Sequence, residues 1–198
     1  MMPLTFANRI TIGRILAVPF LIVTLLYFGP QRDYLRWVAL GFFLFAVVTD
    51  VVDGHIARTR HQKTPAGKIL DPFADKLLLI SSFLCLYGIR FRLPVVEFPL
   101  WLIVIVISRD VILITGAMLL YVIYRRLPME STRWGKMSTF FQVLAVMGML
   151  LQWSWSVFIW PLTALMAVIS GVDYLRQGIK WINKLEDKDT ALPQDFQA

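Results

Sequence analysis

Apolar residues in this chain of 198 residues are gathered into about six long blocks, and that arrangement constrains the fold more than any other feature. Each block approaches the ~20 residues needed to cross roughly 30 Å of hydrocarbon. The blocks predict an all-α, polytopic membrane bundle with spans near residues 10–28, 35–57, 69–89, 98–124, 134–151 and 157–182. Composition agrees. Hydrophobic residues make up 58% of the chain and charged ones 17%, against roughly a quarter charged in a soluble domain. The connections are short and carry breakers at Gly29-Pro30, Thr64-Pro65, Pro94 and Pro128. One six-helix domain over residues 1–184 is expected, followed by a charged tail, 185–198, that frays. No signal peptide is expected, because no small-residue cleavage site follows the first block and further spans come after it. The single cysteine, Cys85, lies inside an apolar block and reads as a small buried hydrophobe.

The net charge of +7 does not point to nucleic acid, because the basic residues flank apolar blocks rather than forming a tract interleaved with aromatics. There they set topology and meet anionic headgroups, so the lipid bilayer is the expected partner. One side collects Arg9, Arg14, Arg58, Arg60, Lys63, Lys68, Arg125, Arg126, Arg133, Lys136, Lys184 and Lys188; the other collects Arg32, Arg36, Arg90 and Arg92. That asymmetry predicts a cytoplasmic-membrane protein with both termini and the loops after helices two and four in the cytoplasm. Trp153, Trp155 and Trp160 are expected to anchor the opposite interface.

Charged groups at depth in a membrane cost at least ~2.5–3.5 kcal/mol each and therefore need a reason. The second block ends with Asp50-Val51-Val52-Asp53-Gly54, and the third opens with Asp71-Pro72-Phe73-Ala74-Asp75. Spacings of i, i+3 and i, i+4 put each pair on one helix face. Two adjacent antiparallel helices can then aim four carboxylates at one point, where they would protonate or need cations. Oxygen ligands without histidine or cysteine suit Mg²⁺ or Mn²⁺, and four carboxylates suffice for two ions in the arrangement used for phosphoryl displacement. Gly54, Ala57 and Gly67 leave room for a bulky polar ligand, and Arg58 can neutralise phosphate oxygens. The bland alternative for any one pair is a cap or a surface salt bridge.

At these residues the sequence resembles the CDP-alcohol phosphatidyltransferase family. Its motif, D-x2-D-G-x2-A-R-x8-G-x3-D-x3-D, reads here as Asp50, Asp53, Gly54, Ala57, Arg58, Gly67, Asp71 and Asp75 with every spacing intact. The resemblance implies a six-helix enzyme that moves a phosphatidyl group from CDP-diacylglycerol to an alcohol and releases CMP. It implies that Asp50, Asp53 and Asp71 hold metal ions, and that Asp75 touches metal and acts as general base. It also implies CDP-lipid contacts at Gly54, Ala57, Arg58, Gly67 and Thr64, with Asn8 and Thr11 in an N-terminal segment closing over the cytidine side. A homodimer is implied as well.

The acceptor is less sharply marked. The segment from Asn8 to Arg14 resembles bacterial phosphatidylglycerophosphate synthases, which use glycerol 3-phosphate; so does Gly135-Lys136-Met137-Ser138-Thr139 with Gln142. Ser108-Arg109-Asp110 is instead similar to the cardiolipin synthases, whose acceptor is phosphatidylglycerol. Either acceptor carries phosphate. Arg109, deep in the fourth block, is the leading candidate to bind it, with a salt bridge to Asp110 or to a helix-three aspartate as its plain alternative. Arg133 and Lys136 are the other candidates, or else topology charges. Two rival classes are an intramembrane ion transporter, since buried acids also mark ion paths, and an inactive membrane scaffold.

Overall fold

The computed structural model describes residues 6–59, 65–93, 95–124 and 132–190; side chains at 6–12, 14, 50–59, 65–75, 121, 124, 182 and 184–190 fall outside that description. Among the described residues the chain is all-α, with six α-helices and no strand. They are α1 (Phe6–Leu26), α2 (Tyr34–Thr59), α3 (Pro65–Gly88), α4 (Leu100–Tyr124), α5 (Arg133–Leu150) and α6 (Ser156–Thr190). Short 3-10 turns at Pro30–Arg32 and Arg90–Arg92 complete the set.

Local chemistry accounts for several boundaries. Pro65 takes the first position of α3, where its missing N–H would have no helical partner anyway. Thr132 caps α5: its hydroxyl accepts from Gly135 N at 2.9 Å. The expected end of helix six at Ile182 is overrun, because α6 continues to Thr190 into the tail that was expected to fray. The residues that carry it, Lys184, Leu185, Glu186 and Lys188, are all good helix formers. The α5 terminus is a Schellman turn, with Trp153 N bonded to Gly148 O at 3.0 Å and Gln152 N to Met149 O at 3.1 Å. Its left-handed position, φ 52°, is held by Gln152 rather than the usual glycine.

Two helical stretches, Leu100–Leu120 and Ser156–Trp181, are long and apolar enough to cross a membrane. Helices α1 to α3 contribute shorter apolar stretches, at Ile15–Leu26, Tyr34–Thr49 and Lys76–Gly88. Six helices therefore form as expected, and among the described residues two of them carry an uninterrupted spanning length. The exterior nevertheless suits lipid, since Phe20, Trp37, Phe45, Val104, Met118, Leu119, Val122 and Phe158 are all exposed. A water-facing surface rarely carries so continuous an apolar cover.

The bundle has two halves. In the first, α1 packs on both α2 and α3; in the second, α4 and α5 both pack on α6. Contacts of α3 with α4 and of α2 and α3 with α5 join them. Phe43, Phe83, Leu86, Leu102 and Met149 fill the interior, and alanines at 39, 46 and 145 let the helices approach closely. Among the described glycines Gly148 is the tightest, since a Cβ there would lie 2.8 Å from Ser156 Cβ.

One end of the bundle is cross-tied through its connections. Arg92 donates to Leu26 O and Phe28 O, both at 3.0 Å. Gln152 Oε1 accepts from Val95 N at 2.9 Å and Val96 N at 3.0 Å, and its Nε2 donates to Met149 O at 2.8 Å. Arg36 pairs with Asp33 at 3.0 Å, and Arg90 lies over the Tyr87 ring. Trp153 and Trp155 are exposed at this end. Trp160 is not: it is 8% exposed and packs at a tilt against Phe98, which in turn stacks on Phe83. It sits one helical turn inside α6, where packing against the α3–α4 connection replaces the interface it was expected to meet.

Candidate active site

The acidic motif lies at the other end, divided between the last part of α2 and the first part of α3. The backbone carries Asp50, Asp53, Gly54, Ala57 and Arg58 on α2 and Gly67, Asp71 and Asp75 on α3, at the helical spacing the sequence requires. Their side chains lie outside the described set, as do those of Asn8 and Thr11 on α1, while Thr64 lies outside the described residues altogether. Among the described residues no group of three or more His, Cys, Asp or Glu is arranged to hold a metal ion.

The structure does show what stands beside them. Lys76 follows Asp75 directly on α3, and its Nζ donates to Asp110 Oδ1 at 2.6 Å. Arg109 Nη1 donates to that same oxygen, also at 2.6 Å, and Arg109 Nη2 donates to Ser170 Oγ on α6. Asp110 is 0% exposed and Arg109 6%. A charge so buried survives in an apolar bundle only when it is paired and hydrogen-bonded, and here two cations converge on one carboxylate. Two atoms of the group, Arg109 Nε and Asp110 Oδ2, have no partner among the described residues.

Helix α5 completes the polar wall. Gly135 lies against the group: a Cβ there would come within 3.8 Å of Arg109 Nη2 and of Ser170 Oγ. Further along the same helix face, Ser138 and Gln142 are fully buried, and neither the Ser138 hydroxyl nor either amide atom of Gln142 has a partner among the described residues. Unpaired polar atoms are rare in protein interiors and mark places where water or a ligand belongs. Polar groups from α3, α4 and α6 thus meet beside the Asp75–Lys76 step, with α5 packed against them at Gly135.

A sequence model of known families matches residues 4–171 of this chain, and that family is described as CDP-alcohol phosphatidyltransferase. This chain belongs to the CDP-alcohol phosphatidyltransferase family. Among its relatives in the family, the CDP-diacylglycerol--glycerol-3-phosphate 3-phosphatidyltransferase of Aquifex aeolicus is 32% identical over 187 residues, covering 89% of this chain and 97% of the relative. A probable phosphatidylglycerophosphate synthase of Mycobacterium tuberculosis is 30% identical over 179 residues, covering 88% and 81%. The cardiolipin synthase (CMP-forming) of Rattus norvegicus is 38% identical over 132 residues, but these cover 66% of this chain and 39% of the relative.

The acceptor-side candidates of this family member part company in the structure. Arg109 is buried in the polar group, whereas Arg133, the first residue of α5, and Lys136 are both exposed. The plain alternative for Arg109, a salt bridge to Asp110, is present. Sequence reasoning passed over Lys76 and Ser170. Lys76 had a legible signal, being a cation inside an apolar helix run, but Ser170 had none, since a serine in an apolar helix usually bonds its own backbone. Asp173 on α6 accepts from Gln177 Nε2 at 3.0 Å.

Proposed function

We propose that this chain transfers the phosphatidyl group of CDP-diacylglycerol to glycerol 3-phosphate, releasing CMP and forming phosphatidylglycerophosphate for phospholipid synthesis. The observation that carries the reading is the intact eight-position motif, set on the facing ends of α2 and α3 within the family match. Glycerol 3-phosphate is favoured over phosphatidylglycerol because the relative named for it aligns over nearly its whole length. The cardiolipin-forming relative aligns over less than half of its own.

In this reading Asp50, Asp53, Asp71 and Asp75 hold one or two Mg²⁺ or Mn²⁺ ions, whose charge would offset the diphosphate and the departing CMP oxygen. The all-oxygen donor set fits such hard ions. Asp75 takes the proton from the acceptor hydroxyl as that oxygen bonds to the phosphorus bearing the diacylglycerol; the bond from this phosphorus to the bridging oxygen breaks, and CMP leaves with the electron pair. Gly54, Ala57 and Gly67 leave space for the nucleotide, and Arg58 meets the diphosphate. Asn8, Thr11 and Thr64 complete the cytidine side, while Arg109, Arg133 and Lys136 receive the acceptor phosphate.

The six helices form a membrane bundle in the cytoplasmic membrane, with the termini and the site facing the cytoplasm and a second copy completing a homodimer. The asymmetry of basic residues supports that orientation. Purified protein supplied with CDP-diacylglycerol should release CMP only with a divalent cation and an acceptor. A panel of glycerol 3-phosphate, phosphatidylglycerol, myo-inositol phosphate and serine decides which. Turnover with phosphatidylglycerol alone would move the assignment to cardiolipin synthesis, the reading favoured by Ser108-Arg109-Asp110. Ion flux without turnover would instead make the chain a transporter.

A further inference from the structure

We propose that Asp110 is a positioning residue for the transfer: by holding Lys76 and Arg109 on one carboxylate oxygen, it fixes the rotation of α3, and with it the turn that carries Asp71 and Asp75. The proposal rests on the functional reading above, which gives those two aspartates their roles.

Three observations carry it. Asp110 is the shared anchor of cations from two helices, Lys76 of α3 and Arg109 of α4, each at 2.6 Å from Oδ1. Arg109 then extends the tie to α6 through Ser170, so the connected group spans α3, α4 and α6 at one level. Finally, Lys76 is the residue directly after Asp75, so the tie grips α3 within one residue of the proposed base. Elsewhere, helix α3 meets α4 through few contacts and depends more on α1. The carboxylate is therefore the main polar constraint described between the acid-bearing helix and the second half.

Geometry gives this grip its consequence. A side-chain tip lies roughly 5–6 Å from its helix axis, so turning α3 by about 20° would carry a carboxylate by about 2 Å. Displacements of about 1 Å at a reacting group can lower a rate by about 10²-fold. A neutral residue at position 110 takes from the buried Arg109 and the partly buried Lys76 their common counter-charge. They would separate and release the helix that Lys76 steadies.

The test uses the full chain, purified in lipid-supplemented detergent. Asp110→Asn should lower kcat about 10- to 100-fold while the KM for CDP-diacylglycerol stays within about twofold. Asp110→Glu, which restores the charge, should recover part of the loss. Because Lys76 and Asp110 act as one unit, adding Lys76→Met to Asp110→Asn should lower kcat by less than about twofold more. Amide hydrogen exchange without metal or substrate should quicken in the Asp71–Leu79 stretch of the Asp110→Asn protein and stay unchanged in α1.

A wild-type kcat in Asp110→Asn overturns the proposal, and so do losses that multiply in the double variant or unchanged exchange in α3. If Asp110→Asn does not run as one species in size exclusion, Lys76→Met alone carries the test, because it leaves the Asp110–Arg109 pair in place; wild-type turnover there is equally fatal. Wild-type protein that releases no CMP under any condition defeats the functional reading itself, and this proposal with it. Normal wild-type turnover with a normal Asp110→Asn defeats the positioning role alone.

Discussion

Replacing Gln152 with alanine isolates the cross-tied end of the bundle from the acidic end. The wild-type side chain accepts from Val95 N and Val96 N and donates to Met149 O, which joins the α3–α4 connection to the end of α5. Val95 is exposed, so its freed N–H can turn to water at little cost; Val96 is 4% exposed and cannot. A buried N–H left without a partner costs about 1–3 kcal/mol, and the lost bond to Met149 O adds about 0.5–1.5 kcal/mol. A total near 2–4 kcal/mol follows. The left-handed backbone at position 152 disfavours alanine as it does glutamine, so no relief offsets the loss. Glycine does relieve it, and Gln152→Gly should recover about 1 kcal/mol relative to alanine. At about 2–4 °C per kcal/mol for a chain of this size, Gln152→Ala should melt roughly 5–15 °C lower in detergent, with Gln152→Gly in between. CMP release per folded molecule should stay unchanged below the transition. Equal melting of alanine variant and wild type would refute the reasoning, and so would a glycine variant less stable than alanine.

Other outcomes follow from the site and the packing. Asp75→Asn should abolish CMP release while the protein still elutes as folded in size exclusion, and retained turnover would remove the base from that position. Stripping divalent ions with EDTA should stop CMP release, and Mg²⁺ or Mn²⁺ should restore it; turnover in EDTA would contradict the metal reading. Arg109→Ala should raise the acceptor KM more than the CDP-diacylglycerol KM, and it should also lower stability because Asp110 loses one of its cations. Unchanged acceptor kinetics would leave Arg109 with only its structural pairings. Gly148→Ala forces a Cβ to within 2.8 Å of Ser156 Cβ, so the α5–α6 turn must shift, at about 1–3 kcal/mol measured by thermal melting.

Much of this was legible in the sequence because hydropathy and helix spacing are local signals. All six helix ends that face the connections around Gly29, Pro94 and Trp153 fall within a few residues of expectation. The acid pairs keep their helical spacing because α2 runs through Asp50 and Asp53, and α3 runs through Asp71 and Asp75 with Pro72 between them. What stayed hidden depends on contacts between distant residues. Asp110 reads as a neighbour of Arg109, yet Lys76, far away along the chain, shares it. Trp160 reads as an interface anchor until Phe98 covers it. Gln152 gives no sign of a left-handed backbone, because glycine usually fills that role; only its bonds to Val95 and Val96 explain its presence.

The carboxylate shared by Lys76 and Arg109 also bears on how such a chain can evolve. Losing the acid first would remove the counter-charge two positive groups share, while losing one of the bases first leaves the acid still matched by the other. Accepted changes at positions 76, 109 and 110 should therefore arrive in a preferred order, a base before the acid. Descendants that have lost the acid should therefore have lost a base as well.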